Sequence, residues 1–209
     1  MLTVNMSEKL TARKENVDKL VERMKIEGYS LVDLSVDGHK VNKMSLITGA
    51  IPSVILFLLF GFICGWDKLR DDHFPLVMLV YLVSIVVHEG IHGLFFALFA
   101  KNHFKSIDFG ILWKSVNPYC YCNEPVNKAQ YLTALLMPGF ILGLCPGIVS
   151  ILISSAPMLI FSVLSLFAAG GDMYIAYMIL KNTKKDREEK YLDHPSQPGL
   201  LLLVKEDKA

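Results

Sequence analysis

Net charge is almost missing from this chain: 21 lysines and arginines stand against 20 aspartates and glutamates, a formal balance of +1. No Lys/Arg-rich block breaks that balance, so the electrostatic footprint of a nucleic-acid partner is absent. No secretory signal peptide is expected either, because the first forty residues are charged throughout and hold neither an early apolar core nor a cleavage site. The first apolar segment is therefore expected to act as its own insertion signal. Cysteine is scarce, with four in the chain. Cys64 and Cys145 fall in apolar segments, where a thiol serves as a small hydrophobe. Cys120 and Cys122 lack the second Cys pair that a cysteine metal site needs.

Charge is missing above all from four long stretches: Met44–Trp66, Phe74–Ala100, Tyr131–Ser154 and Pro157–Leu180. A bilayer-spanning helix needs roughly 20 apolar residues, and each stretch supplies them. Core helices of a soluble domain are usually shorter and amphipathic. The sequence thus predicts an all-α membrane protein with four transmembrane helices, spanning 44–66, 74–100, 131–154 and 157–180. These lie in a 44–180 membrane domain, between an N-terminal part (1–43) and a tail (181–209). Eight lysines and arginines precede Met44, seven follow Leu180 and four lie in 101–130. The connection 67–73 has Lys68 and Arg70 against three aspartates, and 154–156 has none. By the positive-inside rule this alternation places both termini in the cytoplasm of a multi-pass cell-membrane protein. A disulfide between Cys120 and Cys122 is then not expected.

Outside the spans, Leu10, Val17, Leu20, Val21 and Met24 recur at helical spacing and predict an amphipathic helix over 7–27. Ser30–Val36 alternates as a strand does, with a turn at Asp37-Gly38. Ile107–Trp113 and Tyr119–Cys122, split by Asn117-Pro118, predict a β-hairpin beside the membrane. That hairpin is a candidate to receive an extended peptide by strand addition. Pro138-Gly139 and Pro146-Gly147 interrupt the third span, which either lines a cavity or is merely kinked. Leu200–Val204 is too short to span and reads as a strand of a small cytoplasmic β element.

Chemistry concentrates in the second span, at His88-Glu89-Gly90-Ile91-His92. Histidines four apart share a helix face with Cβ atoms about 5–6 Å from each other. Two ligands of one zinc ion need that spacing. Glu89 adjoins the first of them, where a carboxylate can serve as general base toward water. Ionisable groups in an apolar span cost roughly 2.5–3.5 kcal/mol each and are usually functional. A structural histidine pair would leave Glu89 without a purpose.

A hydrolytic zinc site normally takes a third protein ligand. His39, His73, His103, Glu124, His194 and Asp172 are the candidates, and only Asp172 lies deep in another apolar span. His92 and Asp172 each lie about eight residues, or roughly 12 Å, from the same end of helices running in the same direction. They therefore share a depth, and Gly170-Gly171 lets the fourth helix approach its neighbour. The metal set is His88, His92 and Asp172, with Glu89 as the catalytic residue and Glu124 next in line as third ligand.

With HEGIH and a downstream helix holding Asp172, the chain resembles site-2-type intramembrane zinc metalloproteases. More closely, it resembles a family of small, mostly bacterial four-helix membrane proteins described as zincin peptidases. The likeness extends to Glu124-Pro125 before the third helix, Gly171-Asp172 in the fourth, and Asp193-His194-Pro195 with Gly199 late in the chain. It implies a zinc cofactor, a membrane-protein substrate and peptide-bond hydrolysis within the bilayer. Site-2 proteases carry Asn and Pro ahead of the liganding Asp and Gly after it. Leu164–Gly171 here holds neither, and Met173 follows. The oxyanion-stabilising partner is thus open between Asn123 and Ser165. Two rivals stand beside the peptidase: a non-enzymatic protein with a structural or regulatory metal, and a small transporter using His, Glu and Asp as an ion relay.

Overall fold

The structure, a computed structural model, describes residues 2–69, 74–112, 117–183 and 187–206. Helix α1 covers Leu2–Ile26, α2 Gly38–Cys64 and α3 Phe74–Phe99. Asp37 caps α2 by accepting the backbone N–H groups of His39 and Lys40, so the helix begins at Gly38 with a polar turn ahead of the apolar run from Met44. Helices α4 (Lys128–Pro138) and α5 (Cys145–Leu152) continue through a π-helical segment, Gly139–Leu144. Its cause is local. Pro146 has no N–H for the helix ladder, and the Cys145 N–H reaches back to the Phe140 carbonyl. The loosened Gly143 carbonyl accepts Ser162 Oγ at 2.5 Å, as a carbonyl away from water requires.

Among the described residues three helices are long and apolar enough to cross a membrane, α2, α3 and the α4–α5 unit. Their outward side chains are apolar and uncovered: Phe62 is 76% exposed, Val86 68% and Leu152 76%, a surface that water does not tolerate at this extent. The expected fourth span at 157–180 is not one straight helix. It is α6 (Ala156–Ala168) and α7 (Gly170–Asn182), bent by 47°. The bend sits where α7 meets α2 at backbone distance: a Cβ on Gly170 would come within 2.1 Å of the Ser45 carbonyl oxygen and 2.9 Å of the Gly49 nitrogen. Thr48 Oγ1 donates to the Gly170 carbonyl at 2.6 Å, pinning the break to α2.

Strands β1 (Tyr29–Ser35), β4 (Glu189–Asp193) and β5 (Gly199–Lys205) form one antiparallel sheet in the order β1-β5-β4. The segment before α2 is thus paired with the segment after α7. Central β5 is buried on both faces, which explains its unbroken leucine run. Leu201 packs with Val17 and Val21 of α1, while Leu200 and Leu202 join the main core with Phe96, Tyr131 and Tyr191. Strands β2 (Ile107–Leu112) and β3 (Asn117–Cys122) pair as the expected hairpin; Trp113 lies outside the described residues. An isolated bridge between Val126 and Tyr191 ties the hairpin's exit to the sheet.

Candidate metal centre

Helix α3 carries His88, Glu89 and His92 between α4, α6 and the hairpin. His88 Nε2 lies 3.0 Å from Asp172 Oδ2, His92 Nε2 3.2 Å from His88 Nε2, and His92 Nε2 3.5 Å from Asp172 Oδ2. These three atoms form a nearly equilateral triangle. Tetrahedral zinc with bonds of about 2.0–2.1 Å sets its ligand atoms about 3.3 Å apart, so the donor set fits that ion in both size and chemistry. His92 Nδ1 lies 2.9 Å from the Ala134 carbonyl oxygen. A carbonyl only accepts, so Nδ1 carries the proton and the neutral ring turns its Nε2 lone pair toward the triangle. Among the described residues these are the one group of three or more His, Cys, Asp and Glu side chains clustered closely enough to hold a metal.

Glu89 is not part of that triangle; with Pro118 of β3 it lines two cavities beside it. Asn123 N–H donates to the Ser106 carbonyl, which fixes the phase of the ladder. Residues 118, 120 and 122 then turn their backbone groups away from β2, toward the outer edge. On that edge the Cys120 N–H faces the Glu89 carboxylate, the Cys122 N–H donates to Asp193 Oδ2 at 2.7 Å, and Pro118 has no N–H to offer. The edge facing the site therefore accepts hydrogen bonds but has no free donor at these positions.

Three cavities converge here. One of about 340 Å³ reaches Glu89, His92 and Asp172 from the side of Arg13, Tyr121 and the 193–199 loop. A second, of about 300 Å³, reaches His88 and Glu89 past Tyr81, Pro118 and Ser165. A third, of about 380 Å³, is apolar and ends on Asp172 between α2, α4 and α6. Glu89 thus separates two cavities, within reach of water and of a bound chain.

A family model described as "Putative zincin peptidase" matches residues 81–186, about half of the chain. The chain belongs to this family. Membership implies a peptidase with a zinc cofactor, and the matched segment runs from the turn before His88 past Asp172. No curated protein and no solved structure matches the chain.

The other residues weighed as zinc ligands lie elsewhere. His39 is exposed, and His103 uses Nδ1 on the Ala97 carbonyl. His194 Nδ1 accepts from the Ser196 and Gln197 N–H groups, and His73 is outside the described residues. Glu124 holds the turn after α3, accepting from Lys101 N–H, Asn102 Nδ2 and Ser106 Oγ. Burial alone would raise its pKa, but these hydrogen bonds outweigh it and hold the carboxyl below its usual range. Cys120 and Cys122 are free thiols outside the triangle, and burial pushes the Cys122 pKa up to about 12. Asp193 went unassigned in the sequence although its Asp-His-Pro context stood out. Burial raises its carboxyl pKa, opposed by hydrogen bonds from Cys122 and Tyr131. Asn123 is exposed, whereas Ser165 is buried on a wall of the second cavity.

Proposed function

We propose that this protein is a zinc-dependent intramembrane endopeptidase, with zinc held by His88, His92 and Asp172 and Glu89 as general base. The triangle of donor atoms beside an unligated carboxylate is the observation that carries the reading. Bound zinc would supply a Lewis acid that activates water and polarises the scissile carbonyl. Glu89 takes the proton from the attacking water and passes it to the departing amide nitrogen. The Ala134 carbonyl keeps His92 in the tautomer that presents Nε2. A substrate helix must unwind to expose its carbonyl. The acceptor-only edge of β3 favours an extended chain that offers its own N–H groups to the Pro118 and Cys120 carbonyls.

Four crossings with both ends in the cytoplasm form part of this proposal. Pairing of β1 with β5 supports it: a sheet on one membrane face that joins the segments before α2 and after α7 requires an even number of crossings between them. The bent α6–α7 pair is then the fourth span.

The test compares zinc content and cleavage of a single-span peptide with a glycine-weakened helix, in wild type and Glu89→Gln. Zinc should be equal in both, and turnover should drop by roughly 10²-fold or more in the variant. Equal turnover would leave the metal structural and end the peptidase reading.

A further inference from the structure

Six serines are buried among the described residues: Ser53, Ser84, Ser106, Ser150, Ser162 and Ser165. Four satisfy their hydroxyls on backbone carbonyls. Ser53 donates to Gly49 at 2.8 Å, Ser84 to Tyr81 at 2.7 Å, Ser150 to Gly147 at 2.7 Å and Ser162 to Gly143 at 2.5 Å. Ser106 donates to Glu124 at 2.8 Å. Ser165 differs. It is 4% exposed, and its Oγ has no hydrogen-bond partner. A helical serine can usually turn its hydroxyl onto a carbonyl of the preceding turn, and a buried hydroxyl left unpaired is costly.

The place of this hydroxyl gives it a use. Ser165 lies on the wall of the cavity of about 300 Å³ that also holds His88 and Glu89. It lies in the last turn of α6, ahead of the 47° bend, and Asp172 lies in the first turn of α7 just beyond it. The bend thus brings a ligand and a free donor to the same region of α3 from two helix segments. We propose that Ser165 Oγ donates a hydrogen bond to the carbonyl oxygen of the scissile peptide and holds that oxygen as negative charge develops on it. This rests on the peptidase reading above. Water oxygen adds to the carbonyl carbon while Glu89 takes a water proton, and the C=O becomes a singly bonded oxyanion. The C–N bond then breaks, the carbonyl re-forms as a carboxyl, and Glu89 returns the proton to the amine. Ser165 keeps its own proton throughout. Its oxygen is closed off from the cavity in this structure, so a turn about the Cα–Cβ bond brings it to the substrate, and no protein acceptor has to be released.

The experiment uses full-length zinc-loaded protein in detergent micelles, with a fluorogenic single-span peptide and a phosphonamidate analogue of that peptide. Ser165→Ala should lower kcat by roughly 10²-fold, the usual cost of one such donor, with KM nearly unchanged. Affinity for the tetrahedral analogue should fall by a similar factor while affinity for the cleaved product does not. Zinc content and melting temperature should match wild type, and Ser165→Thr should recover most of the loss. Wild-type kcat and analogue affinity in Ser165→Ala would overturn the assignment. So would equal losses in the Ala and Thr variants accompanied by lost zinc, which mark a packing role. If zinc-loaded wild type neither cleaves the peptide nor binds the analogue, the peptidase reading falls and this assignment with it.

Discussion

His92 Nδ1 lies 2.9 Å from the backbone carbonyl oxygen of Ala134, so a helix backbone, not a side chain, orients the second histidine. Ala134 is fully buried, and its helix begins at a capping box made by Asn127 and Gln130. The register of α4 therefore sets the ring's tautomer. The second imidazole is presented by structure remote from it in sequence.

From this arrangement, His88→Ala, His92→Ala and Asp172→Asn should each weaken zinc retention by more than the 10–100-fold that loss of an outer-shell partner costs. Metal analysis after dialysis against a competing chelator measures this. Retention equal to wild type in Asp172→Asn would remove Asp172 from the ligand set.

Glu124 is expected to be structural. Its folded pKa is lowered from 4.5, so the stability it contributes is present above that value and is lost as pH falls through the lower folded one. Glu124→Gln should therefore melt below wild type at pH 7, and the gap should close as the pH drops below about 4. Its zinc content at pH 7 should equal that of wild type. Zinc lost in this variant would return Glu124 to the ligand set.

Gly170 lies against Ser45 and Gly49 with no room for a methyl group. Gly170→Val should cost about 1–3 kcal/mol by overpacking and shift α7 enough to carry Asp172 off the histidines. A thermal melt paired with zinc analysis reads both effects. A variant with wild-type melting and zinc would show that α2 and α7 separate without cost to the site.

Parts of this organisation were legible in the sequence for definite physical reasons. Helical periodicity fixed the shared face of His88 and His92, and charge-free length marked the apolar helices. Depth along two helices singled out Asp172, and the structure sets its carboxylate beside both imidazoles. What escaped were backbone groups and long-range pairings. The Ala134 carbonyl and the Cys120 N–H exist in any residue and leave no trace in composition. The bend at Ala169 has no proline to announce it; it follows from glycines on α2 and α7 meeting in space. The empty donor position of Ser165 is visible only against its satisfied neighbours.

The strand pairing also bears on topology, because Tyr29–Ser35 and Gly199–Lys205 are hydrogen-bonded along their whole length. A sheet cannot form across a bilayer, so both segments must lie on one face. The hairpin between α3 and α4 lies on that face too, since Arg13 of α1 bonds Asp108 at 3.3 Å and stacks on Tyr119 and Tyr121. In the proposed topology the chain crosses twice through α2 and α3, and twice more through α4–α5 and the bent α6–α7. In the proposed orientation, the lysine and arginine excess at both ends puts the shared face in the cytoplasm. A reporter fused after Ala209 should be active only inside the cell, and one inserted between α2 and α3 only outside. Activity of the C-terminal fusion outside the cell would mean that α6–α7 re-enters without crossing, or that the orientation is reversed. The α2–α3 insertion separates these outcomes, since only a reversal would move it inside.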